Sequence, residues 1–472
     1  MKATLLVLVL PVVGCASVAD EPIADSTSAL TACGARLVAT TGSDLGDCRS
    51  RPCRTIQRAV DVACAGDVVR VDRGEYDENV VVRQSVAIQG ERRRGRTLVR
   101  PAFSAPNPCA DSSLCDGAAS SVFLVTASRV TLQDLVIDGD NPLLTSGVVV
   151  GGADIDARNG IIQDTASGPL DGLTVTRVVV RNVFRRGIFA SSGGAFSFRD
   201  NRVRNVRGDA SAVALFTFGG TGEMSGNEVV DANDALAANH SRGVSFRKNR
   251  VSRSGSGVHT DNAGEASTEA DRIEDNRVED CTPGGYGIFV FAPYLAPSVV
   301  DNEVERCTVG FAAFGQGLPV RAAFTGNESD RNRIGFYVTD DLPGFGSTDV
   351  AITIEDNRIR RAEVGLWLDR RHGDVVDADV RCNTITDGAT GIASSTASGR
   401  IESNAIFDNG LGLDAHAAID ARDNWWGCKR GPLAGSSCDA VRGPAVVAPF
   451  LARRPGCTYR PGRRSWSWKE LR

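Results

Sequence analysis

From Asp67 onward the chain alternates apolar and polar positions in short runs: Val69 and Val71, then Val80 and Val82, then Val86 and Ile88. A period of two belongs to strands that bury one face. Ahead of these runs, Ile56, Ala59, Val60 and Ala63 fall at i, i+3, i+4 and i+7. That spacing predicts one amphipathic helix over residues 54–63, placed where a stack of strands would begin.

Further along, the pattern repeats. An Asn followed two residues later by Val or Ile recurs at Asn201, Asn227, Asn249, Asn276, Asn302, Asn357, Asn383 and Asn404, with weaker members at Asn327 and Asn424. Nine to thirteen residues after most of them comes a small residue and then an apolar one, as in Gly257-Val258, Gly287-Ile288, Gly310-Phe311, Gly335-Phe336, Gly365-Leu366, Gly391-Ile392 and Gly412-Leu413. Each unit is therefore expected to hold two short strands separated by turns. A unit this short cannot bury its apolar side alone, so it must stack on copies of itself. Stacked parallel strands about 4.8 Å apart turn each repeated position into a column. Asn side chains in such a column can hydrogen-bond along the stack, and the hand of parallel crossovers makes the coil right-handed. The prediction is an all-β, right-handed parallel β-helix of single-strand coils with an N-terminal capping helix. Residues 130–137 and 173–180 read as earlier, less regular coils, and the Cys-bearing loop at 101–121 is expected to project from the body. Cys281 and Cys307 both lie five residues past a ladder Asn, so they should stack, as a disulfide or as free thiols.

Two segments carry resemblances. Gly74-Glu75-Tyr76-Asp77-Glu78-Asn79-Val80, with the preceding helix, resembles the N-terminal cap of many bacterial β-helix proteins. Asp423-Asn424-Trp425-Trp426-Gly427 with Gly431-Pro432 and Ala448-Pro449-Phe450-Leu451 resembles the closing coil of NosD-like β-helix proteins. The solenoid is placed at 33–451, with a cap at 33–66 and a closing coil at 423–451, where Trp425 and Trp426 close the apolar end. At the start, Lys2, the apolar run from Thr4 to Leu10 and Val12-Val13-Gly14-Cys15 resemble a bacterial lipoprotein leader. The resemblance implies a signal peptide at 1–14, lipidation of Cys15, and attachment to the outer membrane or cell surface through that lipid alone. Residues 15–32 read as a flexible tether and 452–472 as a basic tail.

Charge and cysteine usage narrow the function classes. The net charge is −5, with no concentrated basic face, which argues against a nucleic-acid partner. Of the 13 cysteines, twelve remain beyond Cys15, and in an oxidising compartment disulfides are the default. Cys48 with Cys53, Cys109 with Cys115 and Cys428 with Cys438 are the short-range candidates. A monomer is expected.

Aligning the coils on the Gly-apolar pair puts the residue two after the Gly on the outer face. That stripe reads Phe189, His259, Phe289, Tyr337, Trp367 and Asp414. A second stripe two residues on reads Phe216, Asp261, Phe291, Phe314, Asp369 and His416. Outward rings in a row form an apolar track on which sugar rings stack, so Phe189, His259, Phe289, Phe291, Phe314, Tyr337 and Trp367 are candidate carbohydrate-binding residues. Distance then sorts the charged groups. His259 and Asp261 lie about four coils, roughly 19 Å, from Asp369, whereas paired glycosidase carboxylates stand about 5–9.5 Å apart. The neighbouring coils that carry Asp340, Asp341, Asp369, Arg370, Arg371 and His372 can instead converge beside Tyr337 and Trp367. Asp340, Asp341, Asp369, Arg370 and His372 are the candidate catalytic set: His372 could abstract a ring proton, or Asp341 and Asp369 could act as an acid and base pair.

The β-helix resemblance implies relatives that include pectate lyases, polygalacturonases, alginate lyases, epimerases and inert adhesins. The pair Asp340-Asp341 is present, but Gly-His-Gly, Arg-Ile-Lys and Asp-Pro-His are absent. Asp138, Asp140 and Asn141 in one turn, with Asp154 and Asp156 in the next loop, are hard oxygen ligands and candidates for Ca2+. The leading expectation is a surface lipoprotein that binds an extended polysaccharide or cell-surface glycan. The rival is a polysaccharide lyase or hydrolase at the Asp340 to His372 cluster, and the third reading is a structural or adhesive spacer.

Overall fold

The computed structural model describes residues 34–457, apart from 92–94, 192, 262–268, 292–294, 316, 343–345 and 433–436. The leader, Cys15, the tether and residues 458–472 of the tail lie outside the described residues. The fold is a right-handed parallel β-helix whose three long sheets hold 14, 13 and 14 strands. One coil runs Arg272–Glu274, Arg277–Glu279 and Tyr286–Phe291; the next runs Ser298–Val300, Glu303–Glu305 and Val309–Phe314. They pair in parallel with Ile273 beside Val299, Val278 beside Val304 and Ile288 beside Phe311. Each coil thus has three strands where the sequence pattern suggested two. The extra one precedes the Asn and buries an apolar residue three positions ahead of it, as Ile273 does for Asn276; in the coil of Val320–Thr325 it is longer and buries Val320, Ala322 and Phe324.

The Asn column sits at the tight turn between the first and second sheets. The residue before each Asn is left-handed, with φ of 55° at Asp200, 54° at Lys248, 56° at Asp275 and 54° at Asp301, or is Gly226 or Gly326. Asp, Asn and Gly tolerate that region best. All ten Asn residues join one unbroken ladder. Asn201 Nδ2 donates to Asn227 Oδ1 at 3.0 Å, Asn276 to Asn302 at 3.0 Å, Asn327 to Asn357 at 2.9 Å and Asn404 to Asn424 at 3.0 Å. Each also donates back to a strand carbonyl, as Asn302 does to Ile273 O at 2.8 Å, so the turn's buried polar groups are satisfied inside the stack.

The Gly column lies where the third sheet begins and meets the inward side chains of the second. A Cβ on Gly335 would stand 2.4 Å from Gly365 O and 2.6 Å from Ile359 Cγ2, so lack of space selects glycine here. The core fills with the residues after those glycines and their counterparts on the other sheets. Phe311 and Phe336 stack at 4.7 Å, with Phe324 against both. Burial of each such side chain contributes about 1.5–3 kcal/mol.

Each end of the stack carries residues packed over its last coil. The helix α1, Ile56–Asp61, is shorter than the predicted span and buries Ile56, Ala59 and Val60. Glu78 accepts from Ile56 N at 2.8 Å and Gln57 N at 2.9 Å, and the Gln57 side chain bonds Val81 N at 2.8 Å and Val81 O at 3.2 Å. This hook occupies the polar edge of the first strand of the third sheet, Val80–Val82. At the far end Trp426 is fully buried and Trp425 packs on Phe407 at 5.1 Å.

Among the described residues five disulfides are formed: Cys48–Cys53, Cys109–Cys115, Cys281–Cys307, Cys382–Cys457 and Cys428–Cys438. The Cys281 and Cys307 stack is therefore a covalent link between coils. Disulfides persist in oxidising compartments, so the chain is that of an exported protein. No helix among the described residues is long and apolar enough to cross a membrane.

Candidate functional site

The third sheet carries the aromatic residues on its outer face, in register. Phe189, Phe216, Ala237, His259, Phe289, Ala312, Tyr337 and Trp367 are successive partners in one row. Phe216 was expected in the second stripe, but it stands beside Phe189 because Ala214-Leu215 takes the place of the Gly-apolar pair in its coil. Phe314 partners Phe291, and Asp369 partners Thr339, in the second row.

This row divides in two. At the N-terminal half, residues 101–121 do not project; they fold back over Ile162, Phe189 and Phe216, with Leu114 packed against them. Three guanidiniums hold that loop down. Arg158 Nη2 donates to Ser112 O at 2.8 Å and its Nη1 to Asn107 Oδ1 at 2.9 Å, Arg185 Nη2 donates to Asp111 O at 2.8 Å, and Arg186 Nε donates to Ser113 Oγ at 3.0 Å. Arg186 lies 4.6 Å over the Phe216 ring. Burial, with Arg185 alongside, lowers its pKa to about 10. Phe189 and Phe216 are only 4% and 8% exposed, so Phe189 leaves the set of accessible sugar-stacking candidates.

At the C-terminal half the rings form a connected lattice outside the main core. His259 stacks on Phe289 at 4.8 Å, Phe289 neighbours Phe291 at 5.8 Å and Phe314 at 5.9 Å, Phe314 meets Tyr337 at 6.0 Å, and Tyr337 meets Trp367 at 5.3 Å. Tyr286 fills the space beside Phe289 and Phe314. Tyr286, Phe289, Phe291 and Trp367 remain part-exposed; His259, Phe314 and Tyr337 are buried beneath them. Tyr286 is missing from the sequence-derived set, although the residue just before each Gly also faces outward and would have located it. His259 keeps Asp234 within 3.7 Å of its Nε2. Burial pushes the Asp234 carboxyl up, but His259, Ser256 and Arg186 outweigh it and hold the pKa below the ordinary value.

The charged candidates gather at the end of this lattice, in unequal roles. Asp340 is fully buried: its Oδ1 accepts from Arg371 N at 2.7 Å and its Oδ2 from His372 N at 2.9 Å. It clamps the turn of the next coil and presents no open oxygen for chemistry. Arg370 donates to the carbonyls of Asp374 and Gly373 within its own turn. The guanidinium that reaches the site belongs to Arg371, whose Nε bonds Asp369 Oδ2 at 2.7 Å. The Tyr337 hydroxyl donates to the same Oδ2 at 2.8 Å. Burial raises the Tyr337 pKa, and Asp369 raises it further. Asp341 Oδ2 lies 3.2 Å from His372 Nε2, with His372 half exposed.

The turn proposed for Ca2+ has other occupants. Asp138 Oδ2 accepts from Arg181 Nε at 2.6 Å and its Oδ1 from Asn182 Nδ2 at 2.8 Å. Asn141 donates to Pro101 O and accepts from Leu143 N. Burial raises the Asp140 pKa, as do its neighbours Asp138, Asp156 and Asp154. Among the described residues no group of three or more His, Cys, Asp or Glu is placed to hold a metal ion.

Residues 159–334 match the family model described as right handed beta helix region. No curated protein matches the chain. Among solved structures it is similar to the catalytic domain of a GH87 α-1,3-glucanase in complex with tetrasaccharides, at 12% identity, with 87% of this chain and 68% of that one covered and a TM-score of 0.52. A polygalacturonase from Erwinia carotovora ssp. carotovora aligns over 90% of this chain and 96% of its own, at 9% identity and a TM-score of 0.44. A rhamnogalacturonan lyase aligns over 79% and 87%, at 14% identity and 0.39. At these identities the likeness is one of fold, and by its three in-register sheets and its Asn ladder the chain is a right-handed parallel β-helix protein.

Proposed function

We propose that this chain is an exported, monomeric lipoprotein, anchored through Cys15, that binds an extended polysaccharide along the outer face of the third sheet. The ligand lies over Tyr286, Phe289, Phe291 and Trp367, with Asp369, Arg371 and His372 at one end. The observation that carries this reading is the ring lattice from His259 to Trp367, which lies outside the main core and crosses five coils. Its length is roughly 19 Å by strand spacing, enough for several sugar rings. Aromatic faces present apolar area to the C–H faces of a sugar, and Tyr286, Phe289, Phe291 and Trp367 keep part of theirs open to solvent. The test is affinity gel electrophoresis of the purified protein in gels cast with soluble polysaccharides. Retardation by at least one glycan, weakened at least fivefold by Trp367→Ala, is expected; free migration in every gel would overturn the reading.

One pair favours turnover as a second reading. Asp341 and His372, 3.2 Å apart beside the Asp369 carboxylate, could supply a base and an acid to a glycan held on Trp367. Incubation with the retarding glycan should then release new reducing ends or unsaturated products, and Asp369→Asn with His372→Ala should abolish their release. A glycan that is retained but never shortened leaves binding as the activity.

A further inference from the structure

We infer that the ligand of this face is a neutral polysaccharide rather than a polyuronate. The inference rests on the glycan-binding reading above and turns on hydrogen-bonding capacity at the polar end of the ring lattice. Asp369 stands on the strand Val364–Asp369, two residues after Trp367, so both side chains leave the same face of the sheet. Its Oδ2 is doubly occupied, by the Tyr337 hydroxyl and by Arg371 Nε. Its Oδ1 has no protein donor among the described residues, and Arg371 uses only Nε in this contact, which leaves the Nη groups of the same fork beside it. An acceptor and a donor side by side match a hydroxyl pair, in which each oxygen both donates and accepts. A carboxylate only accepts, so it would meet the Arg371 donors and be repelled by Asp369 Oδ1.

Charge points the same way. The two coils that meet here carry Asp340, Asp341 and Asp369 against Arg370 and Arg371, with His372 beside Asp341. Arg370 offers no open two-pronged fork of the kind carboxylates prefer, and the Nη pair of Arg371 belongs to a guanidinium whose charge Asp369 already offsets. Arg371 is tied to Asp369, and Arg370 is turned back onto the carbonyls of Gly373 and Asp374. At the other end of the lattice Arg186 and His259 face Asp234, and His240 faces Asp261, so the Arg186 charge there already has a carboxylate partner. A chain with one negative charge per sugar would run past a face whose polar groups are self-neutralised or net acidic. A neutral chain meets hydroxyl partners and ring faces.

The purified full chain would be run in gels cast with three neutral polymers (dextran, mixed-linkage β-glucan and galactomannan) and two acidic ones (polygalacturonate and alginate), at low and at physiological salt. At least one neutral polymer is expected to retard it, with both acidic polymers at least tenfold weaker. Asp369→Asn keeps an acceptor and removes the charge, so it should weaken the neutral ligand and narrow the gap to polygalacturonate. Retardation by an acidic polymer equal to or stronger than by every neutral one overturns this inference and leaves the glycan-binding reading standing. Free migration in all five gels overturns both.

Discussion

Tyr337 and Asp369, 32 residues apart in sequence, stand on adjacent coils and share a 2.8 Å hydrogen bond in which the phenol donates to Oδ2. The bond exists because Tyr337 pairs with Trp367 and Thr339 with Asp369, so a strand and its successor bring the two side chains together. It ties the ring that supports Trp367 to the carboxylate that ends the aromatic lattice.

That bond has a pH consequence. Burial holds the Tyr337 pKa well above its ordinary value near 10, with Asp369 adding to the shift, and burial pushes Tyr76 up to about 12. Over the window between unfolded and folded pKa the native chain keeps protons that the unfolded chain has released. Stability from these phenols is therefore fully present below about pH 10 and is lost as pH climbs through the raised values. Urea unfolding midpoints measured from about pH 9 to about pH 11.5 should fall, and Tyr337→Phe should flatten the decline. Parallel slopes for variant and parent would show that the Tyr337 proton is not linked to folding.

Asn302 sits in the middle of the ladder and is fully buried. Its Oδ1 accepts from Asn276 N at 2.9 Å and Asn276 Nδ2 at 3.0 Å, while its Nδ2 donates to Ile273 O and Asn327 Oδ1. Asn302→Ala leaves a buried backbone N–H and a buried carbonyl without their partners, a loss of about 3 kcal/mol. Asn302→Asp keeps the acceptor but sets a carboxylate against Asn327 Oδ1, and should be at least as damaging. A fall in melting temperature of less than about 2 °C for both variants would mean that water replaces the ladder at no cost.

Two columns make this fold readable from the order of amino acids alone. Each follows from a position that accepts one residue type for a physical reason: the Asn that satisfies a turn from within, and the Gly that a neighbouring carbonyl and a β-branched side chain leave no room to enlarge. The strand ahead of the Asn was harder to see in the middle coils, where it buries one residue in three, such as Val299 in Ser298–Val300, and that is too short for a period to show. At the site, the row of rings could be counted along the sequence, and the convergence of Asp369 with Tyr337 follows from it. Which carboxylate faces outward could not be counted. Asp340 and Asp341 are adjacent, and only the hydrogen bonds to Arg371 N and His372 N fix Asp340 inward. The fold-back of residues 101–121 was equally hidden, since its anchors Arg158, Arg185 and Arg186 lie 46 to 75 residues from the oxygens they hold.

The Gly column yields a contrast with a glycine outside it. Gly335 has ordinary backbone angles and no room, so Gly335→Ala forces a Cβ against Gly365 O and Ile359 and should cost about 3 kcal/mol or more. Gly284 has φ of +83°, and a Cβ added there would meet nothing within 4 Å, so Gly284→Ala encounters only backbone strain, about 1 kcal/mol. Thermal unfolding of the pair should rank them in that order. The reverse order would show that lack of space is not what selects glycine along this column.

Cys281–Cys307 joins two successive coils, 26 residues apart. Chain-entropy arithmetic for a loop of that length gives about 3.5 kcal/mol of stabilisation through the unfolded state. The double replacement by serine should lower the denaturation midpoint accordingly while leaving glycan retardation unchanged, because both residues lie in the turn after the second sheet, away from the rings. A variant that loses glycan affinity yet keeps its midpoint would contradict that separation.

The loop over Phe189 and Phe216 offers the most direct check on how the aromatic row is divided. Arg158 alone donates to Ser112 O, Pro106 O and Asn107 Oδ1, and it is fully buried, so Arg158→Met keeps the stem and removes the polar grip. The loop should then lift from the sheet and uncover a continuous apolar patch running into His259 and Phe289. Binding of a hydrophobic dye should rise, and protease cleavage within residues 101–121 should quicken by at least tenfold, with little change in the melting temperature of the coils below. Glycan retardation should hold or strengthen, since the two freed rings extend the same row. Unchanged dye binding together with unchanged cleavage would mean that Leu114 and the apolar contact, rather than the guanidiniums, keep this half of the row closed.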